Sequence, residues 1–174
     1  MDNEIVSGQE ALALVRKLQT AKAYPVREWY DFEHLIPKTP GAYRFTDPDG
    51  LRVYVGEAEK SLRNRLSKQV MPHRFGRPWT LERPPPRGVC TSRNLLNNVL
   101  KDQRDGRALV EPFANIDQGD PGAIEALNRA FHTIDGLAVQ WVKCPADMRK
   151  RVEHLAGRCV FDRRCAEDPS RAGI

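Results

Sequence analysis

Apolar residues recur along the chain at two spacings, one typical of helices and one typical of short strands. After Ser7 they repeat every three or four residues and predict a helix over 8–22, with Ser7 and Glu10 at capping-box spacing. The same helical spacing predicts further helices over 61–70, over 92–104, from Asp120 and from Pro145. Apolar runs of strand length predict strands at 41–45, 52–56 and 137–143.

A strong turn signal joins the first two predicted strands. Residues 47–50 read Asp-Pro-Asp-Gly, all of which favour tight turns, so the strands should form a β-hairpin. Counting outward from this turn places Tyr43 directly opposite Tyr54 on one face of the sheet. Gly56 follows on the same face, where the missing side chain would leave room for a ligand. The alternative interpretation is an aromatic pair that only stabilises the hairpin.

The composition is that of a chain able to fold in water. Its 174 residues are 40% hydrophobic and 29% charged, with a mean hydropathy of −0.59, which suits one domain with a core. No apolar run approaches the roughly 20 residues of a membrane helix, and the first residues do not resemble a signal peptide. We therefore expect a cytoplasmic protein with no membrane partner. Its four cysteines should be free thiols.

Positive charge is concentrated in the middle of the chain. The net charge is +5, and the segment from Lys60 to Arg93 holds nine Lys or Arg residues against one acid, Glu82. Such a segment is either a solvated basic surface or a face that binds phosphates. The charge by itself leaves both interpretations open.

Three short segments in fixed order carry a family resemblance. They are Pro-Gly-Ala-Tyr (40–43), Val-Tyr-Val-Gly (53–56) and Leu-Arg-Asn-Arg-Leu (62–66). Together they resemble the signature of the GIY-YIG endonucleases, a family of homing endonucleases, excision-repair nucleases and some restriction enzymes. The resemblance implies an α+β fold: a small three-stranded antiparallel sheet, made of hairpin 41–56 and strand 137–143, flanked by helices. It also implies a Mg²⁺- or Mn²⁺-dependent endonuclease, a hydrolase that binds DNA and carries one metal per site.

The resemblance assigns roles to the matched residues. Tyr43 or Tyr54 would position or deprotonate the attacking water, with Gly56 beside them. Arg65 would clamp the phosphate, and Arg63 is the reserve because the spacing from Tyr54 is one residue longer than the family's. Glu153, on the helix after the last strand, would be the metal ligand, and a single glutamate can serve Mg²⁺. These assignments predict hydrolysis by a tyrosine-positioned water.

The sequence also departs from the family. Gln69 stands where the family usually has His or Tyr, and no asparagine follows Glu153, although Asp162 or His154 could substitute. Residues 71–136 form a basic insertion, which we interpret as a substrate-recognition element or a structural decoration. It divides the predicted organisation into an N-terminal helical extension (1–36), a nuclease domain (37–165) and a loose tail (166–174). The predicted nucleic-acid-binding residues are Lys68, Gln69, His73, Arg74, Arg77, Arg87 and Arg93.

Other functions stay open from the sequence. The chain could be a nucleic-acid-binding module that kept the fold and lost catalysis, or a toxin or interaction protein that docks a partner through the basic insertion. Cys144, His154, Cys159 and Cys165 are zinc-ligand types, but their spacings are not those of the usual pairs. RNA instead of DNA and a homodimer are not excluded by the sequence.

Overall fold

A four-stranded antiparallel sheet organises the computed structural model, which describes residues 2–70, 80, 82, 95, 99 and 121–158. The strands are β1 (Tyr24–Pro25), β2 (Gly41–Thr46), β3 (Arg52–Ala58) and β4 (Ala138–Lys143), in the order β1-β4-β2-β3. The α-helices are α1 (Asp2–Thr20), α2 (Trp29–Phe32), α3 (Leu62–Val70), α4 (Pro121–Asp135) and α5 (Arg149–Gly157). Short 3₁₀ turns at Val26–Glu28 and Glu33–Leu35 flank α2.

The predicted α+β class is confirmed, with one strand more than expected. Hairpin β2-β3 and strand β4 form the predicted three-stranded sheet. The fourth strand, β1, pairs only two residues with β4. A pairing so short leaves no alternating pattern in the sequence, which is why it was not predicted.

Helices α1 and α5 pack together on one face of the sheet. Their buried residues meet Ala42 of β2 and Val142 of β4 in one apolar cluster. The residues from the two helices are Ala11, Val15 and Leu18, and Val152 and Ala156. Removing this apolar surface from water is what holds both helices against the sheet.

Helix α1 is longer at its start than predicted and ends slightly earlier. It begins at Asp2, so Ser7 lies inside the helix and does not cap it. At its other end, Arg44 Nη2 and Gln140 Nε2 donate to the carbonyl of Gln19 at 3.1 and 3.3 Å, and Gln140 also bonds Ala21 O. The last carbonyls of a helix have no partner within it, so these two sheet residues close the end of α1.

The hairpin register differs from the prediction by two residues. Tyr43 pairs with Gly56 and not with Tyr54, which pairs with Phe45. Gly50 is in the left-handed conformation with φ 77° and follows a turn in which its N–H bonds Asp47 O. The turn adds one residue to the predicted register. A β-bulge between the pairs Thr46–Arg52 and Phe45–Tyr54 adds a second one, Val53 on β3. Each extra residue shifts the register by one, and the shift of two beyond Val53 leaves Tyr54 and Gly56 on the same face as Tyr43, as predicted.

The opposite face of the sheet carries Tyr43 and Phe45, both fully buried. Helix α3 begins at this face, where Leu62 N donates to Thr39 O at 3.0 Å. A Cβ on Gly41 would clash with the Leu62 side chain at 2.5 Å and with a β4 carbonyl. The absence of a side chain at Gly41 therefore lets α3 approach the sheet closely.

The chain separates into two compact units, residues 1–66 with 137–174 and residues 67–136. The second unit has nearly the bounds of the predicted insertion. Its helix α4 covers the segment predicted to begin at Asp120, and Leu95 and Val99, within the helix predicted over 92–104, are helical and buried. None of the helices among the described residues combines the length and apolar character that a bilayer crossing requires.

Candidate active site

Two tyrosines lie close together on the sheet face opposite α1 and α5, the face at which α3 begins. Tyr43 is fully buried, whereas Tyr54 is partly exposed. Their ring centroids are 6.2 Å apart with the ring planes tilted by 47°. The predicted convergence of the two phenols is therefore found, although they are diagonal neighbours rather than direct partners.

Gly56 makes room for the Tyr43 ring itself. A Cβ built on Gly56 would lie 2.5 Å from Tyr43 Oη and 2.6 Å from its Cζ, far inside van der Waals contact. The prediction that this glycine leaves open space for a ligand is therefore wrong, because the cross-strand tyrosine occupies the space. The glycine instead fixes where the Tyr43 hydroxyl lies.

We expect Gly56→Ala to displace the Tyr43 ring. Overpacking at a buried position costs about 1–3 kcal/mol, so urea unfolding should shift by that amount, and any activity that needs Tyr43 should fall. Gly157→Ala is the matched control, since a Cβ there meets nothing within 4 Å. A Gly56→Ala protein as stable as the Gly157→Ala protein would show that the ring moves aside freely.

Arg65 brings positive charge to the tyrosines. Burial opposes the charge on its guanidinium, but the nearby Tyr43, Tyr54 and Glu57 outweigh this effect and raise the pKa of Arg65. Arg65 therefore stays charged. Within the described residues, neither Arg65 Nε nor Tyr43 Oη has a partner with hydrogen-bond geometry, although both are enclosed and the two side chains are close enough to interact electrostatically.

The environment of Tyr43 favours the neutral phenol. Burial raises its pKa most, Tyr54 raises it further, and the charge of Arg65 only partly offsets these effects. Arg65 lowers the pKa of Tyr43, as a tyrosine base would require, but desolvation is the larger effect. Tyr43 is placed to donate a hydrogen bond rather than to accept a proton.

Arg63 is directed away from the tyrosines. Its Nε donates to Ile36 O at 2.9 Å and its Nη2 donates to His34 O at 2.6 Å. These bonds tie α3 to the segment that precedes β2. Of the two arginines that the sequence offered, the structure brings Arg65 to the tyrosines.

Glu153 lies half-buried in the middle of α5, near a second acid. Burial raises the pKa of Glu153 most and the charge of Glu57 raises it further, while Arg65, Lys150 and Arg149 lower it. Glu57 was not among the predicted site residues. Its position directly after Gly56, the last residue of the second motif segment, could have marked it as a candidate site residue. Only the tertiary structure brings it near α5.

Two of the four zinc-ligand types noted in the sequence, Cys144 and His154, lie within the described residues. The described residues contain no group of three or more potential ligands from His, Cys, Asp and Glu. The Cys144 thiol is buried in the apolar cluster of α1 and α5, and burial raises its pKa to about 11. Such a thiol is a poor metal ligand, since binding requires the thiolate. Cys159 and Cys165 lie outside the described residues.

Few of the predicted nucleic-acid-binding residues fall within the described residues. Gln69 is 4% exposed, and its side-chain oxygen accepts a hydrogen bond from Leu95 N at 3.3 Å. The prediction that Gln69 contacts nucleic acid is therefore wrong, because its amide holds the chain at residue 95. Lys68 is exposed near the end of α3. The remaining positions, His73, Arg74, Arg77, Arg87 and Arg93, lie outside the described residues.

Comparison with known proteins points to one kind of relative. The chain is similar to part of UvrABC system protein C. The protein of this name from Salinispora tropica is 35% identical over 86 residues, which are 49% of this chain and 12% of that protein. Those from Beutenbergia cavernae and Paenarthrobacter aurescens are 69% and 62% identical over 32 residues, 18% of this chain and 4% and 5% of those proteins.

The similarity to UvrABC system protein C covers only a small part of that protein. In each of these relatives the chain spans at most 12% of the length. No family model matches the chain. No solved structure matches it significantly. The partial matches support a link to a nuclease family.

Proposed function

We propose that the chain is a metal-dependent endonuclease that hydrolyses a phosphodiester bond of DNA. The observation that carries the proposal is the meeting of Tyr43, Tyr54 and Arg65, in which Tyr43 Oη and Arg65 Nε are enclosed and have no partner with hydrogen-bond geometry among the described residues. Buried polar groups are nearly always paired, so these two atoms suit a hydrogen-bonding ligand. The partial similarity to UvrABC system protein C points the same way, since it supports a link to a nuclease family.

Arg65 suits the role of phosphate clamp. Hydrolysis requires positive charge beside the phosphoryl oxygens, where negative charge builds in the transition state. Arg65 stays charged in a half-buried position, and a guanidinium presents its donors in a fork that matches phosphate geometry. A clamp already held in place needs little reorganisation during the reaction.

The two tyrosines have different roles toward the attacking water. Tyr43, held neutral by burial, donates a hydrogen bond from its fixed hydroxyl. Tyr54 is the more accessible phenol and orients the water for attack on phosphorus. The water then forms the new bond to phosphorus as one ester bond breaks. Its proton passes toward solvent by way of the Tyr54 hydroxyl, which accepts one proton as it releases its own.

The divalent cation that the resemblance implies suits the acids at this site. Mg²⁺ and Mn²⁺ prefer oxygen ligands, and Mg²⁺ often uses only one or two carboxylates together with substrate oxygens and water. Glu153 is the candidate ligand, and Glu57 adds negative charge beside it. Charge on the phosphoryl group and on the leaving oxygen would be offset by such a cation when it is bound.

Removing each hydroxyl separately should distinguish the two tyrosines. Tyr43→Phe removes an enclosed hydroxyl that has no partner with hydrogen-bond geometry among the described residues, so it should raise the free energy of unfolding by about 1 kcal/mol while lowering the cleavage rate. Tyr54→Phe should lower the rate more, because Tyr54 is the more accessible phenol. Urea unfolding and single-turnover rates test both variants. Full activity in both would exclude the tyrosines from the chemistry.

Incubation with supercoiled plasmid DNA tests the proposed function. The purified chain should convert the plasmid to nicked or linear forms with Mg²⁺ or Mn²⁺ and leave it intact with EDTA. Absence of any cleavage under both metals, with the protein folded, would overturn the proposal.

One observation favours a second candidate, a DNA-binding module without catalysis. Gln69 replaces the family's usual His or Tyr, and its buried amide is engaged by Leu95 N, so it does not supply the missing group. This module would bind DNA with an affinity that falls steeply with salt. Salt-dependent binding without metal-dependent cleavage would establish it.

A further inference from the structure

Helix α5, which carries Glu153, is held at each of its two ends by a side-chain contact with strand β3. At the first residue of α5, Arg149 Nε donates to Glu57 Oε2 at 2.7 Å. At the last turn, Arg52 Nη1 donates to Ala156 O at 2.8 Å and to the next carbonyl at 2.6 Å. Helix α5 therefore runs antiparallel to β3, and Glu153 is its middle residue.

The two contacts match the electrostatics of a helix. The N-terminal end of a helix favours negative charge and its C-terminal end favours positive charge. Glu57 approaches the first end and Arg52 the second, where it also satisfies carbonyls that have no partner within the helix. The Arg149 and Glu57 side chains are only 14% and 22% exposed, so water weakens this ion pair less than it would a surface pair.

The irregularity in β3 brings Arg52 to this helix. Residues on one face of a strand alternate, so Arg52 in a regular strand would share the face of Tyr54. The extra residue Val53 reverses the alternation, and Arg52 pairs with Thr46, which lies on the same face as Arg44. Arg44 bonds α1 on the helical face of the sheet. Bulges commonly redirect a side chain in this way.

We propose that Arg52 and Arg149 are positioning residues that fix where α5 holds the Glu153 carboxylate relative to Arg65. This inference rests on the proposed function, in which Glu153 holds the cation and Arg65 the phosphate. Arg149 lies one turn before Glu153 on the same side of the helix. Its charge and that of Glu57 both act on the pKa of Glu153, so all three groups are close.

Replacing each arginine by methionine, which keeps the apolar stem, tests the role. Arg52→Met and Arg149→Met should lower kcat and the Mn²⁺ affinity measured by titration calorimetry about 10- to 100-fold, as for other groups that orient a metal ligand. The dissociation constant for DNA should change less than about twofold, since on the proposed mechanism neither residue binds phosphate. Arg149→Lys, which can still pair with Glu57, should recover most of the loss. Arg158→Met, an exposed arginine just after α5, is the matched control.

Two further measurements separate this inference from the proposed function. In both methionine variants, amide hydrogen exchange in α5 should be faster than in the wild type, and the increase should be larger in α5 than in α1. This result does not depend on whether the chain cuts DNA. In amide hydrogen exchange, Glu57→Gln combined with Arg149→Met should open α5 no more than Arg149→Met alone, because the two side chains hold the helix as one pair. Unchanged exchange in α5, or full kcat and Mn²⁺ affinity in an active protein, would overturn the positioning role. An inactive wild type with faster α5 exchange in the variants would overturn only the nuclease function.

Discussion

Arg65→Ala should lower the single-turnover rate of DNA cleavage by about 100- to 1,000-fold, the cost of losing one preorganised charge donor to the transition state. The chain should still fold, because the enclosed Nε of Arg65 has no hydrogen-bond partner among the described residues to lose. Arg65→Lys should recover only part of the rate. A lysine keeps the charge but presents a single point rather than a fork of donors.

Arg63→Ala provides the matched control two residues away on the same helix. Its side chain bonds the carbonyls of Ile36 and His34, so its loss should reduce the free energy of unfolding by about 1–3 kcal/mol. The rate for the folded fraction should stay near that of the wild type. An active Arg65→Ala protein beside an inactive, well-folded Arg63→Ala protein would reverse the assignment of the two arginines.

Glu153→Gln should abolish cleavage while leaving DNA binding intact. Glutamine has nearly the same shape, so packing around the buried Val152 should survive, but it lacks the charge that a hard cation prefers. Calorimetric titration of Mn²⁺ into the protein, with and without DNA, should show a large loss of affinity. Affinity for DNA in EDTA should be equal or tighter, because a repulsive carboxylate has been removed.

The same substitution should not destabilise the protein. The folded state raises the pKa of Glu153 through burial and the charge of Glu57. A carboxyl group with a raised pKa makes folding less favourable as pH rises through the range between its unfolded and folded pKa values, and this cost persists at higher pH. Glutamine removes the cost, so Glu153→Gln should be at least as stable as the wild type at pH 7. If Glu153→Gln binds metal and cuts DNA, another acid holds the ion, and Asp162 is the next candidate.

Local signals in the sequence predicted the elements of the site. Turn residues 47–50 and the alternation around them give the hairpin, and the short motif at 62–66 gives the helix with Arg65. These features depend on neighbouring residues only. A shift in register by two residues preserved the shared face of Tyr43 and Tyr54, so the prediction of the cluster survived the error in pairing.

What could not be predicted depends on contacts between distant segments. No residue type marks Val53 as the extra residue of β3, and the face of Arg52 depends on it. Arg63 and Arg65 both flank the apolar stripe of α3, and only the carbonyls supplied by residues 34 and 36 separate their roles. The pairing of Glu57 with Arg149 joins residues 92 positions apart. Sequence spacing carries no information about such a contact.

Cleavage of a labelled DNA duplex in water enriched with ¹⁸O tests the central claim most directly. With Mg²⁺ or Mn²⁺, the wild-type chain should give a product phosphate that carries one oxygen from the solvent, since water attacks phosphorus. Arg65→Ala, purified in the same way, should give almost none. Cleavage that persists in EDTA, or equal cleavage by the wild type and Arg65→Ala, would contradict the claim that this site hydrolyses DNA.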